Sequence, residues 1–310
     1  MGPWSITRYA VVALAAAVLA AQSQAAAADE VHPSTRANAL EAMHGEAFAN
    51  VAYGAYAAQA VRERLPRAAW VFRWAASVEL REHFTEEAEL IHLVRGDAAN
   101  LRTAIAGETE EATHMYPRFA AEARADHDFA AARLFSEIAA DEAAHARDFA
   151  KALAAITRPS QHLAVPAGPT ARPRSIRPGG PLVSSDRTLR NLRTAMRGEA
   201  FASAAYVRYA GHARAEGHPR VATLFLRTAL VERTEHFAEE AILAGLVGDT
   251  RANLRTAIAG ETEEATRMYP RFGGEARAVG DLDAARLFTE IAHDEAGHAR
   301  AFHRVLVGPR

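Results

Sequence analysis

Displaced by 153 residues, the chain matches itself without a gap. Residues 99–113 (ANLRTAIAGETEEAT) are identical to residues 252–266, MYPRF at 115–119 returns at 268–272, and GEAFA at 45–49 returns at 198–202. The chain is therefore a duplication. Its unit of roughly 120 residues is long enough to bury a core of its own. Whatever the unit folds into, this chain does twice.

Each unit reads as four helices. In the first copy they run over 36–63, 66–94, 97–125 and 128–156, rich in the good helix formers Ala, Leu, Glu and Arg. Pro66 and Pro219 stand where a helix would start. Gly96-Asp97 and Asp126-His127 mark the later breaks, as do Gly248-Asp249 and Gly280-Asp281 in the second copy. Pro117 and Pro270 should kink the third helix of each copy. Long helices with short loops have antiparallel neighbours. The expected fold class is all-α: two tandem up-down four-helix bundles, over 36–157 and 188–308. Between them, residues 158–187 hold six of the thirteen prolines and read as a flexible or polyproline-like linker. Thirty such residues, at about 3 Å each, could span a whole domain. The linker thus leaves open how the halves meet. They could pair as a pseudo-dimer within one chain, and helices could be exchanged between them to give mixed sites.

The N-terminus has a different character. Arg8 precedes an apolar run from Tyr9 to Ala21, and small residues with A-x-A patterns follow up to Ala28. This is the layout of a signal peptide over 1–28, implying export to the periplasm or beyond. The run is shorter than the roughly 20 residues of a membrane span, with an N-terminal anchor as the alternative.

Composition narrows the chemistry. A net charge of −2 supplies no basic field for nucleic acid. Cysteine is absent, which excludes disulfides, thiolate catalysis and sulfur-ligated metal centres. Any transition metal must be held by His, Asp and Glu.

Those residues recur where a bundle helix should show its apolar stripe. Helix one carries Glu46; helix two Glu79, Glu82 and His83; helix three Glu108 and Glu111; helix four Glu142 and His145. Adding 153 gives Glu199; Glu232, Glu235 and His236; Glu261 and Glu264; Glu295 and His298. Of fourteen histidines, only His83/His236 and His145/His298 return as histidine in both copies. A spacing of three or four puts both members of a pair on one helix face. A Glu on one helix with Glu-x-x-His on another is the pattern of di-iron and di-manganese carboxylate bundles. Solvated faces are the plain reading of any single Glu. Burying several without a cation would cost several kcal/mol each, so the constellation points to metal. Glu86-Glu87 and Glu239-Glu240 also recur, as a solvated acidic turn or an ion entry path.

GEAFA with a following Tyr on helix one, AGETEEAT-x-MYPRF on helix three, and LFSEIAADEAAHAR or LFTEIAHDEAGHAR on helix four carry a resemblance. Over nearly all of 36–156 and 189–307, each copy resembles the erythrin-type di-iron domain of the rubrerythrin family, within the ferritin-like superfamily. The resemblance implies a dinuclear iron site in each bundle, with manganese or zinc suited to the same donors. It implies oxidation of Fe(II), or reduction of hydrogen peroxide or dioxygen, with an iron-binding protein without turnover as the alternative. It also implies that Tyr53, Tyr206, Tyr116 and Tyr269 hydrogen-bond to ligands near the metals, if they are not ordinary core aromatics. Two departures stand out. With no cysteine there is no rubredoxin-type module, so the electron donor would be external. On helix two, aligning Leu224-Phe225 with Leu287-Phe288 puts Glu235, and by repetition Glu82, where the family has His. This register favours Glu82 and Glu235 as ligands; His83 and His236, one residue later, stay as the alternative.

Overall fold

A computed structural model describes residues 31–308, and the signal-peptide reading of 1–28 lies outside them. Among the described residues there are eight long helices and no strand. In the first copy α1 is Pro33–Arg62. α2 runs through Pro66–Val78, a π turn Glu79–His83 and Phe84–Leu90. α3 runs through Asp97–Glu110, a π turn Glu111–Met115 and Tyr116–Ala125, and α4 is Phe129–Thr157. The second copy repeats the plan. α5 is Asp186–Ala215, and α6 is Pro219–Val231, π turn Glu232–His236 and Phe237–Ala244. α7 is Thr250–Glu263, π turn Glu264–Met268 and Tyr269–Val279, and α8 is Leu282–Val307. Prolines open α1, α2 and α6, and Ser185 and Asp249 cap α5 and α7 by accepting backbone N–H groups. None of these helices is long and apolar enough to cross a membrane.

Pro117 and Pro270 are absorbed differently from a simple kink. Each lies two residues past a π turn, where the helix has already widened. The wider turn relieves the clash a proline ring makes with the carbonyl four residues back.

Two four-helix bundles form, but neither copy closes its own. Bundle A is α1 and α2 from the first copy with α7 and α8 from the second; bundle B is α5 and α6 with α3 and α4. The cores show the exchange directly. Phe302 of α8 packs on Tyr53 and Phe72 with ring centroids 5.3 and 5.1 Å away, while Phe149 of α4 packs on Tyr206 and Phe225 at 5.3 and 5.0 Å. The two first helices, α1 and α5, pack against each other between the bundles, with His44 stacked on Phe201 at 4.2 Å. The boundaries read from the repeat mark copies of the sequence; the folded units are assembled across them.

The connections carry this crossing. Asp97, at the start of α3, bonds to His212 and His218 of bundle B at 2.7 and 2.6 Å. At the equivalent corner of bundle A, Thr250 N–H donates to Glu63. The segment read as a flexible or polyproline-like linker lies as a strap over α6. Arg172 N–H donates to Glu235, Arg174 N–H to the Thr234 carbonyl, and Leu182 N–H to the Leu243 carbonyl. It then bonds to Asp128 through Ser184 and Ser185 before α5 begins.

Candidate metal centres

The exchange of helices decides which carboxylates meet. In bundle A, ligand atoms of Glu46, Glu79, His83 and Glu295 lie within 4.8 Å of one another, and so do those of Glu79, Glu261, Glu295 and His298. In bundle B the corresponding groups are Glu142, Glu199, Glu232 and His236, and Glu108, Glu142, Glu232 and His145. Each bundle thus holds two adjoining four-residue sets that share two carboxylates, Glu79 with Glu295 or Glu232 with Glu142. Shared carboxylates are what a dinuclear centre requires of its bridges. Every one of these side chains is buried.

The π turn in helix two settles which residue faces inward. Phe84 N–H reaches back five residues to the Glu79 carbonyl, so the turn is wide and residues four apart return to the same side. His83 therefore points with Glu79 into the cluster, its Nδ1 3.0 Å from Glu79 and 2.9 Å from Glu295. His236 does the same, 2.9 Å from Glu232 and 3.0 Å from Glu142. Glu82 is exposed, and Glu235 accepts the strap's Arg172 N–H. The register that favoured Glu82 and Glu235 assumed an unbroken α-helix, and the structure places both outside the clusters. In the regular fourth helices a spacing of three suffices: His145 Nδ1 is 2.9 Å from Glu142, and His298 Nδ1 is 2.8 Å from Glu295.

Glu264 and Glu111 stand at the edge. Both are partly exposed, and each carboxylate lies beside the glycine preceding the helix-one ligand; a Cβ at Gly45 or Gly198 would come within 3.5 or 3.4 Å of it. Glu264 also lines a groove open to solvent, with Arg197, Arg267 and Arg271 on its walls. Glu264 thus joins the bundle A set to a route from outside.

All four tyrosines touch these clusters, again across copies. Tyr53 donates to Glu261 at 2.5 Å and Tyr206 to Glu108. Tyr269 donates to Glu46 and lies 3.0 Å from Glu87; Tyr116 donates to Glu199 and lies 3.0 Å from Glu240. Glu87 and Glu240 are fully buried at 0 % exposure, so the solvated-turn reading fails for these two. A single phenol proton cannot serve two carboxylates. If it goes to Glu46, the contact with Glu87 needs a proton on Glu87. Burial and the nearby charge of Glu46 push Glu87 well above the usual carboxylate range, which supplies that proton; burial and Glu199 act likewise on Glu240. The available signal was the spacing: Glu87 lies eight residues beyond Glu79, two turns along the inward face.

Electrostatics show what the clusters lack. Burial and the charges of Glu261 and Glu46 push Glu79 up to about 7, and burial with Glu142 pushes Glu199 up to about 8. Burial first, then neighbouring carboxylates, raise Glu108, Glu111, Glu261 and Glu264 well above their ordinary value. Burial works against charge on His145 and His236 too, but surrounding carboxylates raise both well above 6.5. Without another cation, most of these groups favour their protonated forms, while against the effect of burial His83 keeps Glu46, and His236 keeps Glu142, below the usual carboxylate range. Even so, Glu79 Oε1, Glu108 Oε2, Glu261 Oε2, Glu295 Oε1 and both oxygens of Glu232 are buried without an aligned hydrogen bond, although an imidazole nitrogen lies 2.9–3.3 Å from each. Orphaned buried oxygens beside imidazole nitrogens are the donor set of a hard or borderline metal ion, and these residues fit one.

Comparison with known proteins agrees. The rubrerythrin family profile matches twice, over residues 38–153 and 190–306. The chain is 36 % identical to the rubrerythrin of Porphyromonas gingivalis over 137 residues, covering 40 % of this chain and 68 % of that protein. It is 37 % identical over 133 residues to the rubrerythrin of Nitratidesulfovibrio vulgaris, covering 39 % and 69 %, and 32 % identical over 136 residues to rubrerythrin-1 of Clostridium acetobutylicum, covering 39 % and 70 %. No solved structure gives a significant match. With both halves matched and both clusters built from the motif residues, this chain belongs to the rubrerythrin family.

Proposed function

We propose that the protein is an exported di-iron oxidoreductase that reduces hydrogen peroxide, oxidises Fe(II), or does both, drawing electrons from an external donor. The observation that carries this reading is the pair of buried clusters with shared carboxylates and orphaned oxygens. Export rests on Arg8, the apolar run to Ala21 and the small residues after it.

In bundle A, Glu46, Glu79, His83, Glu261, Glu295 and His298 would hold the metals, with Glu264 at the solvent edge. Glu199, Glu232, His236, Glu108, Glu142 and His145 would do so in bundle B, with Glu111 at the edge. Two iron ions there would supply two one-electron changes side by side, matching the two electrons that peroxide takes. The chain supplies the rest. His83 and His236 turn Nε2 toward Asp294 and Asp141, at 3.7 and 3.5 Å, which orients Nδ1 inward. Glu87 and Glu240 hold a proton behind Tyr269 and Tyr116, and each tyrosine can pass one to its ligand carboxylate. Peroxide reduction consumes two protons, so a stored proton within reach has a use.

The test begins with elemental content. About four irons per chain are expected, two per bundle. Mixing the ferrous protein with peroxide should then bring in ferric absorption within the mixing time scale. Iron that binds but is oxidised no faster than free Fe(II) would leave an iron-handling protein; zinc in its place would remove the redox role.

A further inference from the structure

The two centres differ in how they connect to the surface. Trp70 and Trp74 are one helical turn apart on α2, with stacked rings whose planes are within 3° of parallel and centroids 6.2 Å apart. Trp74 meets His298 edge-on, with centroids 4.8 Å apart. His298 is one of the imidazoles of the bundle A cluster. At the outer end Trp70 is 65 % exposed, an unusual position for the largest apolar side chain. It lines a surface groove with Pro66, Val71, Ala301 and Val305, rimmed by Arg67 and Arg304. An unbroken line of conjugated rings therefore runs from solvent to a candidate metal ligand.

Bundle B has no such line. The equivalent positions are Thr223 and Arg227. The strap also crosses this face: a Cβ at Gly168 would lie 3.0 Å from Leu224 Cδ1 and 3.3 Å from Arg227 Cβ.

We propose that Trp70 and Trp74 form a one-electron relay between an external donor at the surface and the centre of bundle A. The relay rests on that centre holding iron, as proposed above. Electron tunnelling falls off exponentially with distance, and indole is among the most readily oxidised side chains, so two short hops outrun one long one. Each passage is balanced. With hydrogen peroxide at the centre as the oxidant, Trp74 gives up an electron there and becomes an indole radical cation; Trp70 refills it; a one-electron reductant refills Trp70 and leaves oxidised by one electron. Two passages and two protons convert one hydrogen peroxide to two waters. The arginine rim suits an anionic reductant, and ascorbate is the probe.

The experiment uses the full chain with Trp4→Phe, so that only these two indoles remain. Ferrous protein is flashed with photogenerated tris(bipyridine)ruthenium(III). An indole radical should form and decay as ferric absorption grows. Trp74→Phe should slow that iron oxidation at least tenfold with unchanged iron content, Trp74→Tyr should restore much of it, and Trp70→Phe should lower the radical yield. Under peroxide turnover, both Phe variants should slow ascorbate consumption. Absence of the radical, or equal rates in all variants, overturns the relay even if peroxide reacts. A working relay in a protein inert to peroxide would instead overturn the peroxide reading alone. A protein that takes up no iron overturns both.

Discussion

Bundle A and bundle B are built from near-identical sequence and hold the same donor set, yet their surroundings differ. Among the described residues, bundle A carries two stacked tryptophans leading to His298 on a face that no other segment covers; the same face of bundle B is crossed by the strap. The strap explains a difference between the copies. Gly245 ends α6 with φ +62, and a Cβ there would come within 2.4 Å of Pro181 N. Its counterpart His92 keeps the left-handed conformation, with φ +49 and an exposed side chain, and among the described residues no segment crosses bundle A at that point. Arg64 and His127 likewise hold φ +61 and +63 where the second copy has Gly217 and Gly280. Duplication preserved the chemistry inside each bundle and let the outer surfaces specialise.

The sharpest way to break this comparison is to remove ligands in pairs. Glu46→Ala with Glu261→Ala falls entirely in bundle A, although the residues come from different copies. About half of the four irons should remain. Glu46→Ala with Glu108→Ala lies within one copy but strikes both bundles, and should cost nearly all the iron. Elemental analysis giving the reverse pattern would show that each copy closes on itself.

Stability against pH comes next. Metal-free, Glu79 at about 7 and Glu199 at about 8 lie above their ordinary 4.5, so the folded state binds more protons than the unfolded one between those values. Stability falls with pH wherever the folded state binds the extra protons. This contribution is complete below pH 4.5 and is lost as pH rises through about 7 in bundle A and about 8 in bundle B. The raised His145 and His236 act in the same sense. Metal displaces those protons, so loaded protein should gain from the same rise. Melting curves at about pH 5 and pH 8.5 should move in opposite directions for the two forms; parallel movement would show that protons do not stand in for the metal.

Gly245→His should cost about 1–3 kcal/mol, because the strap must shift off α6. The reciprocal His92→Gly should gain no more than about 1 kcal/mol, by relieving the left-handed penalty at some cost in chain entropy. Urea unfolding reads both, and equal effects would mean that the strap is not held where the structure places it. The smallest effect belongs to helix two. Glu82→Ala should stay within about 0.5 kcal/mol of the parent and keep its iron, while His83→Ala should empty bundle A. Iron lost with Glu82→Ala would return that residue to the ligand set.

Much of the site was visible along the chain. Glu108-x-x-Glu111, Glu142-x-x-His145 and their repeats announce inward carboxylates, since periodicity is a local property of a helix. Glu82 against His83 was not decidable that way. The π turn that selects His83 depends on what the helix packs against, and a sequence register assumes uniform pitch. Glu87 and the relay tryptophans were missed for a related reason: an acid pair or a Trp reads as surface until its neighbours are known.

The chain by itself determined eight helices, two bundles, the donor types and the absence of sulfur, because composition and periodicity decide these locally. Only tertiary structure decided that Glu46 and Glu79 meet Glu295 and that Glu199 and Glu232 meet Glu142. The physical reason is the repeat itself. Where 99–113 and 252–266 are identical, the helix surfaces offered by each copy are interchangeable. Nothing local distinguishes self-closure from exchange; the choice falls to the crossing connections, the α1–α5 contact and the path of the strap.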